Sequence, residues 1–189
     1  MKKLFLVLVC MMIGLSLSTA ETDVGVNLDL HMIGHIKNSA AIFENIGATI
    51  FTSKEITDIF YIDNDLSLRG LIGLVDENSE PVIAGDISGT EFSWKTGFSV
   101  KTPTKVDKFH LFFGIGFFWD YQSLKLNGKE LESYSRNGYY AKVKFDFDLN
   151  NDWFFNVTEH ICFTGAVRPE IPSDSIVNMN MALGLGKRL

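Results

Sequence analysis

The stretch from Lys142 to Leu149 (KVKFDFDL) alternates charge and apolar bulk at every residue. Successive side chains of an extended strand point to opposite sides. Lys142, Lys144, Asp146 and Asp148 therefore share one face, and Val143, Phe145, Phe147 and Leu149 the other. A helix would scatter both sets around its circumference, so this period of two limits the segment to a sheet with two unlike faces.

The same period returns along most of the chain. Val24, Val26, Leu28, Leu30 and Met32 form one apolar face, and Ile46, Ala48 and Ile50 another within Ala41–Thr52. Leu66–Leu74 follows, then Glu91–Lys101 with Phe92, Trp94, Phe98 and Val100 on one side. The greasiest face runs Phe109, Leu111, Phe113, Ile115, Phe117, Trp119 and Tyr121. The opening stretch extends back to Tyr139, and Trp153–Thr164 and Val177–Leu185 complete the set. These runs predict eight strands. Short turns are expected at Asp63–Asp65, Thr102–Asp107 and Asn150–Asp152, and longer polar links at Asp76–Gly89, Gln122–Asn137 and Ala166–Asp174.

Residues 1–20 have the build of a cleaved signal peptide, and residues 21–189 form one unit. Lys2 and Lys3 precede an apolar stretch from Leu4 to Leu17, which ends in the small residues Ser18, Thr19 and Ala20. Loss of the two lysines takes the formal charge from −6 to −8, a balance that argues against nucleic acid as a partner. Past the leader only Cys162 remains, so no intrachain disulfide can form.

Alternation alone leaves open which face is wet, since a soluble lipocalin-like carrier shows the same period. Three features favour lipid on the apolar side. Gly97, Gly114, Gly116, Ala182, Gly184 and Gly186 sit on the polar face, where small residues make room in a narrow lumen. The apolar faces run for about ten residues, the length of a tilted crossing. Trp119, Tyr121, Tyr139 and Trp153 fall at expected strand ends, where interfacial aromatic girdles form. The expected fold is all-β, an eight-stranded antiparallel up-and-down transmembrane β-barrel. Glu159 is the exception, because its parity places a carboxyl on the lipid side.

With Phe113-Gly-Ile-Gly-Phe117 and the terminal Met181–Leu189 (MALGLGKRL), this layout resembles the small eight-stranded outer-membrane proteins of the OmpA/OmpX/OmpW-like and opacity-protein group. The resemblance implies the cell outer membrane, contact with its lipid, and an assembly machinery that reads the C-terminal strand. That strand usually closes on Phe in the group, and here it closes on Leu189. The resemblance also implies a lumen too narrow for a general pore, and in the OmpW-like branch a passage for small hydrophobic solutes.

The polar face collects Asp29, His31, Arg69, Lys95, Lys101, His110, Asp120, Lys142, Lys144, Asp146, Asp148 and His160. Inside a lumen these should pair, because an isolated buried charge is very costly. They form either a structural plug or a selective polar path. His31 and His35 lie about 13 Å apart along a strand, too far to share one ion. No Ser-His-acid arrangement is visible, so neither metal, cofactor nor catalysis is expected. Two functions fit the sequence: a narrow channel for small or hydrophobic solutes, and a barrel whose outer loops bind a host or environmental ligand.

Overall fold

The computed structural model describes residues 21–35, 42–75, 87–126, 129–164 and 176–189. The expected leader (1–20) and the link Ala166–Asp174 lie outside the described residues, as does most of Asp76–Gly89. Eight strands follow one another: β1 (Thr22–His35), β2 (Ile42–Thr57), β3 (Phe60–Val75), β4 (Ile87–Thr102), β5 (Phe109–Leu126), β6 (Lys129–Asp148), β7 (Trp153–Thr164) and β8 (Ile176–Arg188). Each pairs antiparallel with its sequence neighbours, and β8 returns to β1 to close the barrel.

The register fixes the geometry of closure. Stepping sideways through paired residues leads from Trp153 to Lys187, Val24, Thr52, Asn64, Thr96, Phe117, Tyr139 and back to β7 at Phe163. The path returns ten residues farther along β7 than it began. A stagger of that size in eight strands requires them to lean about 40° from the axis.

Apolar side chains of the alternating runs point outward. Leu28, Leu68, Phe98, Ile115, Phe163 and Met181 are exposed, whereas Asp29, Arg69, Ser99, Asp120, Lys142 and Asn180 are buried. The molecule thus has its polar side inside, the reverse of a soluble barrel. Glu159 is exposed on the outer face, opposite Val143 and Met181 in the register.

Two expected links are strands instead. Asp63–Asp65 is not a turn: β2 continues to Thr57 and β3 begins at Phe60. Asp and Asn are turn formers, but here Asp63 and Asp65 face inward to Lys142 and His160 while Asn64 pairs in register with Thr52 and Thr96. Gln122–Asn137 is not a loop, because β5 runs to Leu126 and β6 starts at Lys129, and the two pair from Gln122–Tyr134 to Leu126–Lys129 with one register shift after Leu124. Ile87 also pairs with Leu126, so β4, β5 and β6 form a ribbon that continues beyond their neighbours. Alternation fades there because neither face of such a ribbon meets hydrocarbon.

That extension moves three aromatics away from strand ends. Trp119, Tyr121 and Tyr139 lie inside β5 and β6, and only Trp153 begins its strand. Ten residues separate Phe109 from Trp119 on β5. At about 3.3 Å per residue and a lean of about 40°, this is ~25 Å of height. Two aromatic bands sit at those levels. Phe109 meets Phe147 at 5.2 Å and Phe147 meets Phe155 at 6.3 Å in the lower band, where Trp153 also lies. Phe92–Trp119 (5.9 Å), Trp119–Tyr121 (6.5 Å) and Phe117–Tyr139 (6.4 Å) mark the upper one. Their separation equals the apolar height of an outer-membrane barrel, about 25 Å.

At the lower end the connections are short. Asn151 and Asp152 close the β6–β7 turn with positive φ (57° and 64°), a conformation Asn and Asp tolerate. Leu149 N donates to Trp153 O at 2.8 Å across it.

Candidate functional site: a filled lumen

The inward faces bring polar and charged residues from all eight strands into one column, which divides into three levels. Arg69 dominates the upper level. Its Nε donates to Asp29 Oδ1 at 2.6 Å, its Nη2 to Asp29 Oδ2 at 3.0 Å and its Nη1 to Glu91 Oε1 at 2.8 Å. A planar guanidinium suits such a two-sided fork. Glu91 Oε2 also meets His31 Nδ1 at 2.8 Å and accepts from Asn45 Nδ2 at 3.0 Å. Thr49 Oγ1 donates to Asp29. On the far side Arg136 reaches Asp120 and Asn178, both at 3.3 Å.

Ligand atoms of His31, Glu91 and Asp120 lie within 4.8 Å of one another. Two guanidinium groups already stand where a metal's charge would be, Arg69 at 2.8 Å and Arg136 at 4.0 Å from Glu91 Oε1. The trio therefore belongs to an ion-pair network.

At the middle level Lys142 binds Asp63, which also accepts from Ser53 Oγ at 2.6 Å. His160 Nε2 lies 3.1 Å from Asp65 and packs edge-on against Tyr140 at 5.1 Å. Lys95 Nζ reaches Ser93 Oγ at 3.2 Å. Tyr140 fits only because two strands recede before it. A β-carbon on Gly97 or Gly116 would stand 2.6 Å from its hydroxyl oxygen.

The lower level is aromatic. Lys144 Nζ lies 5.2, 5.0 and 5.0 Å from the ring centres of Phe51, Phe112 and Phe154. Asp146 completes the box at 2.9 Å, with Asp23 at 3.9 Å. Gly25 and Gly186 back onto the Phe51 and Phe154 rings, where a β-carbon would come within 2.5 and 2.3 Å. Below it, at the mouth, His110 and Arg188 both hold Asp148, at 2.9 and 2.7 Å.

Nine of the twelve polar candidates are buried: Asp29, His31, Arg69, Lys95, Asp120, Lys142, Lys144, Asp146 and His160. Lys101, His110 and Asp148 are half-exposed at the lower mouth. Sequence reading missed Asp23, Asp63, Asp65, Glu91 and Arg136, all buried in this column. Their signal was parity: each lies an even number of places from an inward charge on its own strand, as Glu91 does from Lys95.

Packed this way, the middle of the lumen keeps a cavity of about 10 Å³ among Thr49, Asp63, Lys95, Lys142 and His160. That is room for roughly one water molecule.

No protein-family model matches the chain. No curated protein matches it either. Solved structures do. Neisserial surface protein A aligns with a TM-score of 0.64 at 10% identity, over 89% of this chain and 97% of that one. Ail, the attachment invasion locus protein of Yersinia pestis, aligns with a TM-score of 0.60 at 10% identity, over 91% and 100%. The outer membrane protein OprG from Pseudomonas aeruginosa gives 0.60 at 9% identity, over 90% and 96%. The chain thus shares the closed eight-stranded fold of small outer-membrane barrels.

Proposed function

We propose that the protein is an integral outer-membrane barrel that acts at its outer end, with a lumen that serves as a structural plug. The observation that carries this reading is the filled column of ion pairs, whose cavity among Thr49, Asp63, Lys95, Lys142 and His160 holds about 10 Å³. A solute path would require water along its length. Here Arg69, Lys142 and Lys144 are each held by carboxylates at successive levels. The outward apolar faces and the two aromatic bands support residence in lipid. Among the described residues the buried Ser53 and Thr49 hydroxyls are tied to Asp63 and Asp29 inside this packed column, which supports a role without chemistry.

Acidity marks the partner class. Residues 36–41, 76–86, 127–128 and 165–175 link strand ends opposite the short turns. They contain Asp76, Glu77, Glu80, Asp86, Glu170 and Asp174 against Lys37 and Arg168. A basic surface is therefore the partner these links suit, and a polyanion is not.

Planar bilayers test the plug. The purified protein should stay silent, and stepwise ion currents from the unmodified chain would sink the reading. Trypsin or a Glu-specific protease on intact cells tests the outer end. Cleavage should fall within 36–41, 76–86 or 165–175, and complete resistance would count against exposed links.

A further inference from the structure

The lipid side carries a groove where the barrel closes. Along the β1–β8 seam Val24 pairs with Lys187, Val26 with Leu185 and Leu28 with Leu183. A depression of about 560 Å³ runs over this seam, walled by Val26, Leu28, Leu183 and Leu185 and ended by Trp153 and Lys187. We propose that it seats an acyl chain of a phospholipid from the inner leaflet, with the Lys187 ammonium on the lipid phosphate. This inference rests on the membrane reading of the preceding section.

Length is the first argument. Val24 to Leu28 covers about 13 Å along the strand, which at a lean of about 40° is ~10 Å of depth, most of one leaflet of an apolar band about 25 Å tall. The groove therefore runs from the lower aromatic band most of the way to mid-bilayer.

Charge is the second. Lys187 is half-exposed at the end of β8 and makes no ion pair with any described residue. Its neighbour Arg188, of opposite parity, instead holds Asp148 at 2.7 Å. Lys54 adds a second half-exposed cation on the same outer side, two strands away on β2 and paired with Thr22. The inward Glu55 accepts from Tyr61 at 3.2 Å, and neither lysine makes an ion pair with a described residue. An apolar slot with ammonium groups at its interfacial end matches a lipid with a phosphate head. Trp153, beside Lys187 on β7, sits where an indole meets the ester level of a bilayer.

Native mass spectrometry decides the point, on protein folded in a neutral maltoside detergent with dioleoylphosphatidylglycerol or phosphate-free dioleoylglycerol. One phosphatidylglycerol should stay on each barrel, with about tenfold preference over dioleoylglycerol. Lys187→Gln should remove that preference. Val26→Trp should fill the slot and expel the lipid with Lys187 intact, so it decides if Lys187→Gln does not fold. Lys108→Gln, at the same end but in the β4–β5 turn, should change nothing. Equal retention of the two lipids, or retention unchanged in both Lys187→Gln and Val26→Trp, would overturn the proposal. A chain that cannot fold in detergent at all would instead sink the membrane reading.

Discussion

The upper and lower levels of the lumen bury cations by different means. Above, Arg69 is locked between two carboxylates by three hydrogen bonds. Below, Lys144 sits among three phenyl rings with Asp146 as its close counter-ion. A guanidinium offers a rigid fork of donors and sheds water readily, so it suits a place where every partner has a fixed direction. An ammonium is a compact point charge, which ring faces can stabilise without demanding one orientation. The upper level is specified by geometry and the lower one by shape and charge.

The comparison predicts unequal costs, measurable as urea unfolding of the barrel in lipid vesicles. Arg69→Leu should be the most damaging. It leaves Asp29 and Glu91 buried without their cation, and should cost about 3–5 kcal/mol. Arg69→Lys should restore only part of this, because one ammonium cannot serve both carboxylates along the same directions. Equal stability of Arg69→Lys and the parent would erase the distinction between the levels.

Lys144→Met should cost less, about 3 kcal/mol, at the low end for breaking a buried pair. It strips the buried Asp146 of its cation at 2.9 Å, but one close carboxylate is orphaned instead of two, the Met chain still fills the phenyl box, and Arg188 remains 3.7 Å from Asp23. A loss matching that of Arg69→Leu would mean the lower level depends on ion pairing as heavily as the upper. Gly186→Ala probes the box from behind. Its new methyl meets the Phe154 ring and should cost about 1–3 kcal/mol by overpacking. Smallest, and opposite in sign, is Glu159→Leu on the lipid side. Removing a carboxyl from mid-bilayer should stabilise the barrel by about 1 kcal/mol, since Glu costs less there than Lys or Arg. Destabilisation would show that Glu159 has a partner in the membrane.

How legible this was depended on what each face touches. Between the aromatic bands one side meets hydrocarbon and the other a packed lumen. Tyr139–Asp148 therefore announced itself by alternation, and Trp153–Thr164 did so with Glu159 as the exception on its outer face. Asp63 and Asp65 were obscured because the residues that favour turns also serve as inward counter-ions, and nothing local separates the two uses. Residues 122–137 were obscured for the opposite reason, since above the bilayer both faces tolerate polar side chains and the period of two disappears. The Asn127-Gly128 pair between Leu126 and Lys129 was the surviving clue, being the favoured sequence of a two-residue hairpin. Which charge meets which could not be read at all. Lys142 and Asp63 are 79 positions apart, and only the stagger of the closed barrel brings them together.

Closure of β8 onto β1 carries a kinetic consequence. Seven of the eight strand pairings join sequence neighbours, but the eighth matches Asp23 with Arg188, and Leu189 N donates to Thr22 O at 3.0 Å. Local hairpins can form early, whereas this last contact must bring the whole span from residue 22 to residue 189 into a loop. Assembly should therefore pass through an open sheet with two bare edges, and its slowest step should be the zipping of β1 to β8. A cross-link between those strands would speed insertion, while one inside any hairpin would leave the rate almost unchanged.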